Sequence, residues 1–215
     1  MNNKQRAAEA INRLEARYPD AACSLTYTVP HELLIATRLS AQCTDARVNM
    51  VTPALFASYP TIADFAEADV QEVEALVRTC GFYHTKAQDI VGMCRMIITD
   101  FAGKVPDNME DLLKLPGVGR KTANLVLGDI FGKPAIVCDT HCIRITNLLG
   151  LTTVKDPAKV EAQLRILLPS DKSNDFCHRL VLFGREICIA RRPKCEVCPL
   201  SDICKSGNVR KNPPI

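Results

Sequence analysis

The sequence predicts an all-α protein, and three observations predict it. Apolar residues recur at helical spacing along nearly the whole chain. Asp, Asn, Thr, Pro and Gly punctuate those runs at short intervals, where helix starts and stops call for them. Only Leu25, Tyr27 and Val29 alternate; one such run cannot build a sheet and reads as an extended linker.

The elements follow in order. Ala7, Ala10, Ile11, Leu14 and Tyr18 share one face of an opening amphipathic helix. Pro30 suits a first helical position, and His31 to Gln42 continue that helix. Thr44 or Asp45 caps the next, which ends near Tyr59-Pro60. Thr61 opens a short helix through Phe65, and Val70 to Val77 form another, broken by Gly81. Ala87, Ile90, Val91, Cys94, Ile97, Ile98 and Phe101 mark a long helix. A short one starts near Asn108 and runs from Met109 to Leu113. The run Ala123, Val126, Leu127, Ile130, Phe131 gives a further helix, stopped by Gly132-Lys133-Pro134. Asp139 can cap a helix to Leu149, closed by Gly150. Asp156-Pro157 opens one to Leu168. Phe176, Leu180, Phe183 and Ile187 stripe the last, which runs into a cysteine cluster.

Composition bounds the class. The chain has 215 residues, enough for one large domain or two small ones, and 47% are apolar with no Trp, so aliphatic side chains fill the core. The net charge of +3 announces no polyanion partner. The charge is uneven, however: Lys114, Arg120, Lys121 and Lys133 face one nearby acid, Asp129, and Arg185, Arg191, Arg192 and Lys194 face one, Glu186. Such local patches, rather than net charge, would hold a polyanion. No apolar run approaches the ~18 residues of a membrane span. The N-terminus lacks the pattern of an export signal, so a soluble, cytoplasmic protein is expected. Eleven cysteines in such a chain suggest buried thiols and a metal site rather than a disulfide frame.

One stretch organises the chain: Leu115-Pro116-Gly117-Val118-Gly119-Arg120-Lys121-Thr122-Ala123. It reads as helix, tight glycine hairpin, helix. Glycine permits positive φ and close approach of a neighbour. A helix N-terminus behind such a turn presents N–H groups and the positive end of a dipole. A phosphate is the natural guest, with Arg120 and Lys121 adding charge, although Gly-x-Gly alone also suits an ordinary turn between helices.

Cys188, Cys195, Cys198 and Cys204 are spaced C-x6-C-x2-C-x5-C. Four thiolates within 17 residues can hold zinc or an iron–sulfur cluster. Only the middle pair is close, and the outer ligands must loop in from both sides, which suits the larger object. Cys138 and Cys142 read instead as small buried hydrophobes.

The glycine hairpin resembles the helix-hairpin-helix of DNA glycosylases of the endonuclease III family, and the cysteine spacing resembles that family's [4Fe–4S] loop. The likeness runs from about residue 5 to residue 205. It implies a [4Fe–4S] cluster on Cys188, Cys195, Cys198 and Cys204, and a DNA-contacting basic loop at Arg191, Arg192 and Lys194. Further DNA contacts are implied at Gly117, Val118, Gly119 and Arg120. Leu39-Ser40-Ala41-Gln42-Cys43-Thr44-Asp45 resembles the segment whose Gln fills the space left by a flipped base. Gly81-Phe82-Tyr83 resembles a loop whose apolar residue wedges into the stack. On their own, Gln42 also reads as a polar residue at a helix end, and Phe82 as a core side chain. Arg38, Cys138 and Cys142 depart from the family's commonly apolar residues.

The resemblance also assigns the chemistry. Lys121 matches the family's nucleophile and Asp139 its carboxylate. Read without it, Lys121 is equally a phosphate contact and Asp139 a helix cap. At pH 7 only about one free lysine in 2,500 is neutral, so a nucleophilic lysine needs activation beyond a helix dipole. The implied protein is a monomeric, bifunctional glycosylase and AP lyase acting on double-stranded DNA and expected to remove oxidised pyrimidines. Its fold would be two helical lobes with the DNA site between them. Residues 22–133 would form a helical barrel with the hairpin, and residues 1–21 plus 134–215 the cluster domain. A monofunctional adenine glycosylase is disfavoured by the presence of Lys121. A non-catalytic iron–sulfur DNA-binding module lacks a use for the Lys/Asp pair.

Overall fold

The computed structural model describes residues 1–207, and among these every regular element is helical. The chain divides into two compact units, residues 23–132 and residues 1–22 with 133 onward.

The continuous unit holds α2 (Pro30–Leu39), α3 (Asp45–Ser58), α4 (Ile62–Glu67), α5 (Val70–Val77), α6 (Tyr83–Asp100), α7 (Met109–Leu112) and α8 (Arg120–Asp129), with a 3-10 turn at Arg78–Cys80. Its centre is α2, which buries Leu33, Leu34, Ile35, Ala36 and Leu39 and packs against α3, α6 and α8. Helices α4 and α5 lie on α6. Phe65 is wholly buried there between the rings of Phe56 and Tyr59, with centroids at 6.4 and 5.2 Å. Starts follow the sequence signals. Pro30 occupies the first turn of α2, and Thr44, Thr61, Asp69 and Asn108 each accept a first-turn N–H. One end differs from expectation: α2 stops at Leu39 rather than reaching Gln42, because Gln42 takes the left-handed φ of 54°.

The second unit holds α1 (Asn3–Arg17), α9 (Thr140–Leu149), α10 (Pro157–Leu167) and α11 (Ser173–Glu186). Helix α11 packs on α1 and α9, with Phe176, Leu180 and Phe183 buried. Gly184 permits that approach: a Cβ there would lie 2.3 Å from His141 Nδ1 and 3.0 Å from Ile145 Cδ1. The N-terminal helix is stitched to the far end of the chain by two arginines. Arg6 Nε donates to Ile203 O at 3.0 Å, and Arg13 pairs with Asp202 through both carboxylate oxygens.

Candidate functional site

In the continuous unit the hairpin has the geometry that its glycines predict. Gly117 has φ +71°, and Val118 N donates to Leu115 O at 3.1 Å, closing the turn. Gly119 is the cap residue of α8 and offers no side-chain acceptor, so the first turn is not capped from within. The first amides of a helix have no intrahelical partner, and here they stand beside two cations. Gly117, Gly119, Arg120 and Lys121 are exposed, with Lys121 in the first turn of α8. Val118 is the exception. Its side chain is buried among the core residues, so any contact it makes outward is through the main chain.

Two further loops of this unit carry strained, exposed side chains. Gln42 has φ 54° and Phe82 φ 48°, each costing about 1–2 kcal/mol for a residue with a Cβ. Phe82 is 65% exposed, which removes the core reading. An apolar ring held out on a strained backbone is a constrained, outward-facing group of the sort that concentrates at functional sites.

Behind these loops lies a residue that the sequence reading passed over. Lys86 is fully buried in the first turns of α6, and its Nζ donates to Leu39 O and Cys80 O, each at 2.8 Å. The signal was a lysine on the apolar stripe that continues through Ile90, Met93 and Ile97. Arg38, the departure noted above, pairs with Asp89 on α6 and lies against Gly117.

In the other unit Asp139 caps α9, its Oδ1 accepting from Cys142 N at 2.7 Å. Its carboxylate is half-buried. Cys138 and Cys142 are buried, as small hydrophobes would be. Its hydrogen bonds with Cys138 and Cys177, which hold the Cys142 proton in place, together with burial keep the Cys142 thiol well above its ordinary range.

Cys188, Cys195, Cys198 and Cys204 line one cavity, whose remaining wall includes Ile145, Leu149, Phe183 and Leu200. Burial, then the neighbouring Cys188, Cys204 and Cys195, push the Cys198 thiol up to about 11, so the four groups share one electrostatic environment. Among the described residues no three ligand side chains converge closely enough for a single ion. Four thiols lining one shared cavity are a donor set that an iron–sulfur cluster takes. The backbone around them is tied down: Arg144 Nη1 donates to Cys188 O at 2.5 Å and lies 3.6 Å from Cys188 Sγ, and Ser206 N donates to Leu148 O at 3.1 Å. Arg191, Arg192 and Lys194, between the first two cysteines, are exposed.

Comparison with known proteins agrees with this geometry. Residues 35–170 match the family model of the HhH-GPD superfamily base excision DNA repair protein. Residues 188–204 match that of the iron–sulfur binding domain of endonuclease III. The chain is 48% identical over 207 residues to endonuclease III of Synechocystis sp., covering 96% of this chain and 94% of that one. It is 40% identical over 211 residues to endonuclease III of Bacillus subtilis, covering 98% and 96%. A solved endonuclease III–DNA covalent intermediate is 42% identical and superposes with a TM-score of 0.92, covering 99% of this chain and all of the other. The chain therefore belongs to the endonuclease III family of base excision DNA repair proteins, and its cofactor is a [4Fe–4S] cluster.

Proposed function

We infer that this chain is a bifunctional DNA glycosylase and AP lyase of base excision repair that removes oxidised pyrimidines from duplex DNA. The observation that carries this is Lys121, exposed in the first turn of a helix that opens from an uncapped glycine hairpin, in a chain of this family. The relative solved as a trapped covalent intermediate with DNA supports a covalent step.

The damaged nucleotide is turned out of the stack. Gln42 fills the space it leaves, and Phe82 wedges between neighbouring bases, offsetting unstacking with new contact. Gly117, Val118, Gly119 and Arg120 bind the backbone phosphates, the glycines through main-chain N–H groups. Neutral Lys121 attacks C1′ of the sugar and the base departs with the glycosidic electron pair. The resulting amine–sugar adduct opens to a Schiff base. Loss of a C2′ proton then expels the 3′ phosphate, which cleaves the strand on the 3′ side. Asp139 stabilises positive charge developing on the sugar and accepts the proton that Lys121 must lose.

Cys188, Cys195, Cys198 and Cys204 would hold the [4Fe–4S] cluster, which when bound would order the loop between its first two ligands. That loop brings Arg191, Arg192 and Lys194 to phosphates. The protein acts as a monomer in the cytoplasm, at the nucleoid if its source is bacterial. No described helix is long and apolar enough to cross a membrane.

The test is strand cleavage of a duplex carrying one oxidised thymine. Wild-type protein nicks it on the 3′ side. Lys121→Ala loses that nick while still binding the duplex. Base release without cleavage by the wild-type protein would make the chain a monofunctional glycosylase, and binding with neither would reduce it to a binding module.

A further inference from the structure

Gln42 and Phe82 belong to different loops, and each keeps a backbone conformation that residues with a Cβ avoid. Strain of that kind persists only where the surroundings over-determine it. The surroundings here converge on one atom. Leu39 ends α2 just ahead of Gln42, and its carbonyl is one of those a helix terminus leaves without an intrahelical donor. Cys80 ends the 3-10 turn just ahead of Gly81-Phe82. Lys86 Nζ, fully buried, donates to both carbonyls at 2.8 Å. The main chain of Lys86 adds a third tie, its N–H donating to Phe82 O at 3.0 Å.

We propose that Lys86 is a positioning residue that couples the two DNA-entering loops, so that Gln42 and Phe82 are presented as one rigid unit and enter the duplex together. The inference rests on the roles given to Gln42 and Phe82 above.

The geometry favours this over general scaffolding. A buried Lys contributes little that an apolar side chain would not, unless its donors are used, and desolvation opposes its charge. Burial does lower the Lys86 pKa from its ordinary value, with Arg38 acting in the same sense and Cys43 and Cys80 opposing it. Both of its hydrogen bonds go to carbonyls at loop entrances rather than to a carboxylate. Loosening them frees the loops and leaves α2 and α6 packed through Leu39, Ile90 and their neighbours.

The experiment compares Lys86→Met on two substrates. One is a duplex with a single oxidised thymine, which requires both loops to enter. The other is a single-stranded oligonucleotide with an abasic site, read by borohydride trapping, which has no opposing strand to part. We expect kcat/KM on the duplex to fall about tenfold, the scale of a displaced positioning group, while trapping stays within about twofold. We also expect the triple variant that adds Gln42→Ala and Phe82→Ala to lose no more than Lys86→Met and that pair do separately at their worse. Equal losses on both substrates, losses that multiply in the triple variant, or no loss would each overturn the role of Lys86. Gln42→Ala and Phe82→Ala without effect in the wild-type background would instead overturn the loop roles on which the inference rests. Should Lys86→Met fail to fold, Lys86→Gln, whose amide keeps two N–H donors on a shorter side chain that cannot reach both carbonyls as Nζ does, is read by the same criteria.

Discussion

Arg38 Nη2 lies 2.6 Å from Asp89 Oδ2, and the pair, only 15% and 22% exposed, sits against Gly117 of the hairpin. A Cβ on Gly117 would fall 2.6 Å from Arg38 Nε and 2.7 Å from Asp89 Oδ2. A substitution there must therefore break the pair or shift the turn, on a residue whose φ of +71° already disfavours a side chain. Gly117→Ala should cost about 1–3 kcal/mol of stability and weaken DNA binding. Chemical denaturation and a binding titration check both.

The same pair makes a prediction about partners. Arg38→Leu leaves the Asp89 carboxylate half-buried and unpaired, and should cost about 1–3 kcal/mol. Arg38→Leu with Asp89→Asn removes the stranded charge and should recover most of that loss. A double-mutant cycle in urea measures the coupling, and additive losses would show that the two residues do not support one another.

The basic loop is tested through salt. If Arg191 and Arg192 each meet a phosphate, replacing one with Ala reduces the slope of log K against log salt by about 0.9. An unchanged slope would make them solvated surface charge.

The cluster loop is tested through iron. Cys198→Ser removes one of four thiols around the shared cavity and should lower bound iron and its visible absorption. Weaker DNA binding should accompany it, because the loop carrying Arg191 and Arg192 loses its anchor. Iron content and a binding titration on the same sample read both effects.

His31 sets an acid limit. It is buried at the start of α2, and its Nε2 has no hydrogen-bond partner. Burial lowers its pKa below the ordinary 6.5, with Glu32 and the Pro60 carbonyl opposing. The unfolded chain therefore takes up a proton that the folded chain resists. This contribution to stability is complete above the unfolded value and is lost as pH falls through it towards the folded one. Between about pH 7 and pH 5, wild-type stability should fall more steeply than that of His31→Leu. Parallel urea midpoints across that range would contradict it.

Much of the frame was legible in the sequence, and the reasons are local. Asn108, Asp139 and Asp156 mark helix starts because a cap bond spans only a few residues, and Pro30 does so because its fixed φ suits a first helical position. The hairpin and the cysteine spacing were legible because their chemistry is contained in short stretches. Three things were not. Lys86 stands on the apolar stripe of α6, but its spacing names neither of its carbonyl partners, one of them 47 residues away. The attachment of α1 by Arg6 and Arg13 likewise uses long-range bonds to the last described segment, which leave no spacing pattern. The early end of α2 was hidden because nothing in Ser40-Ala41-Gln42 breaks a helix; the left-handed turn at Gln42 comes with its tertiary setting.

On the proposed mechanism Lys121 forms a covalent bond with the sugar. The most direct measurement is borohydride reduction of the protein mixed with a duplex carrying one oxidised thymine, followed by a denaturing gel. A protein–DNA adduct is expected with the wild-type chain and none with Lys121→Ala, although both bind the duplex. An adduct that persists in Lys121→Ala, or base release by the wild-type protein with no adduct, would contradict it.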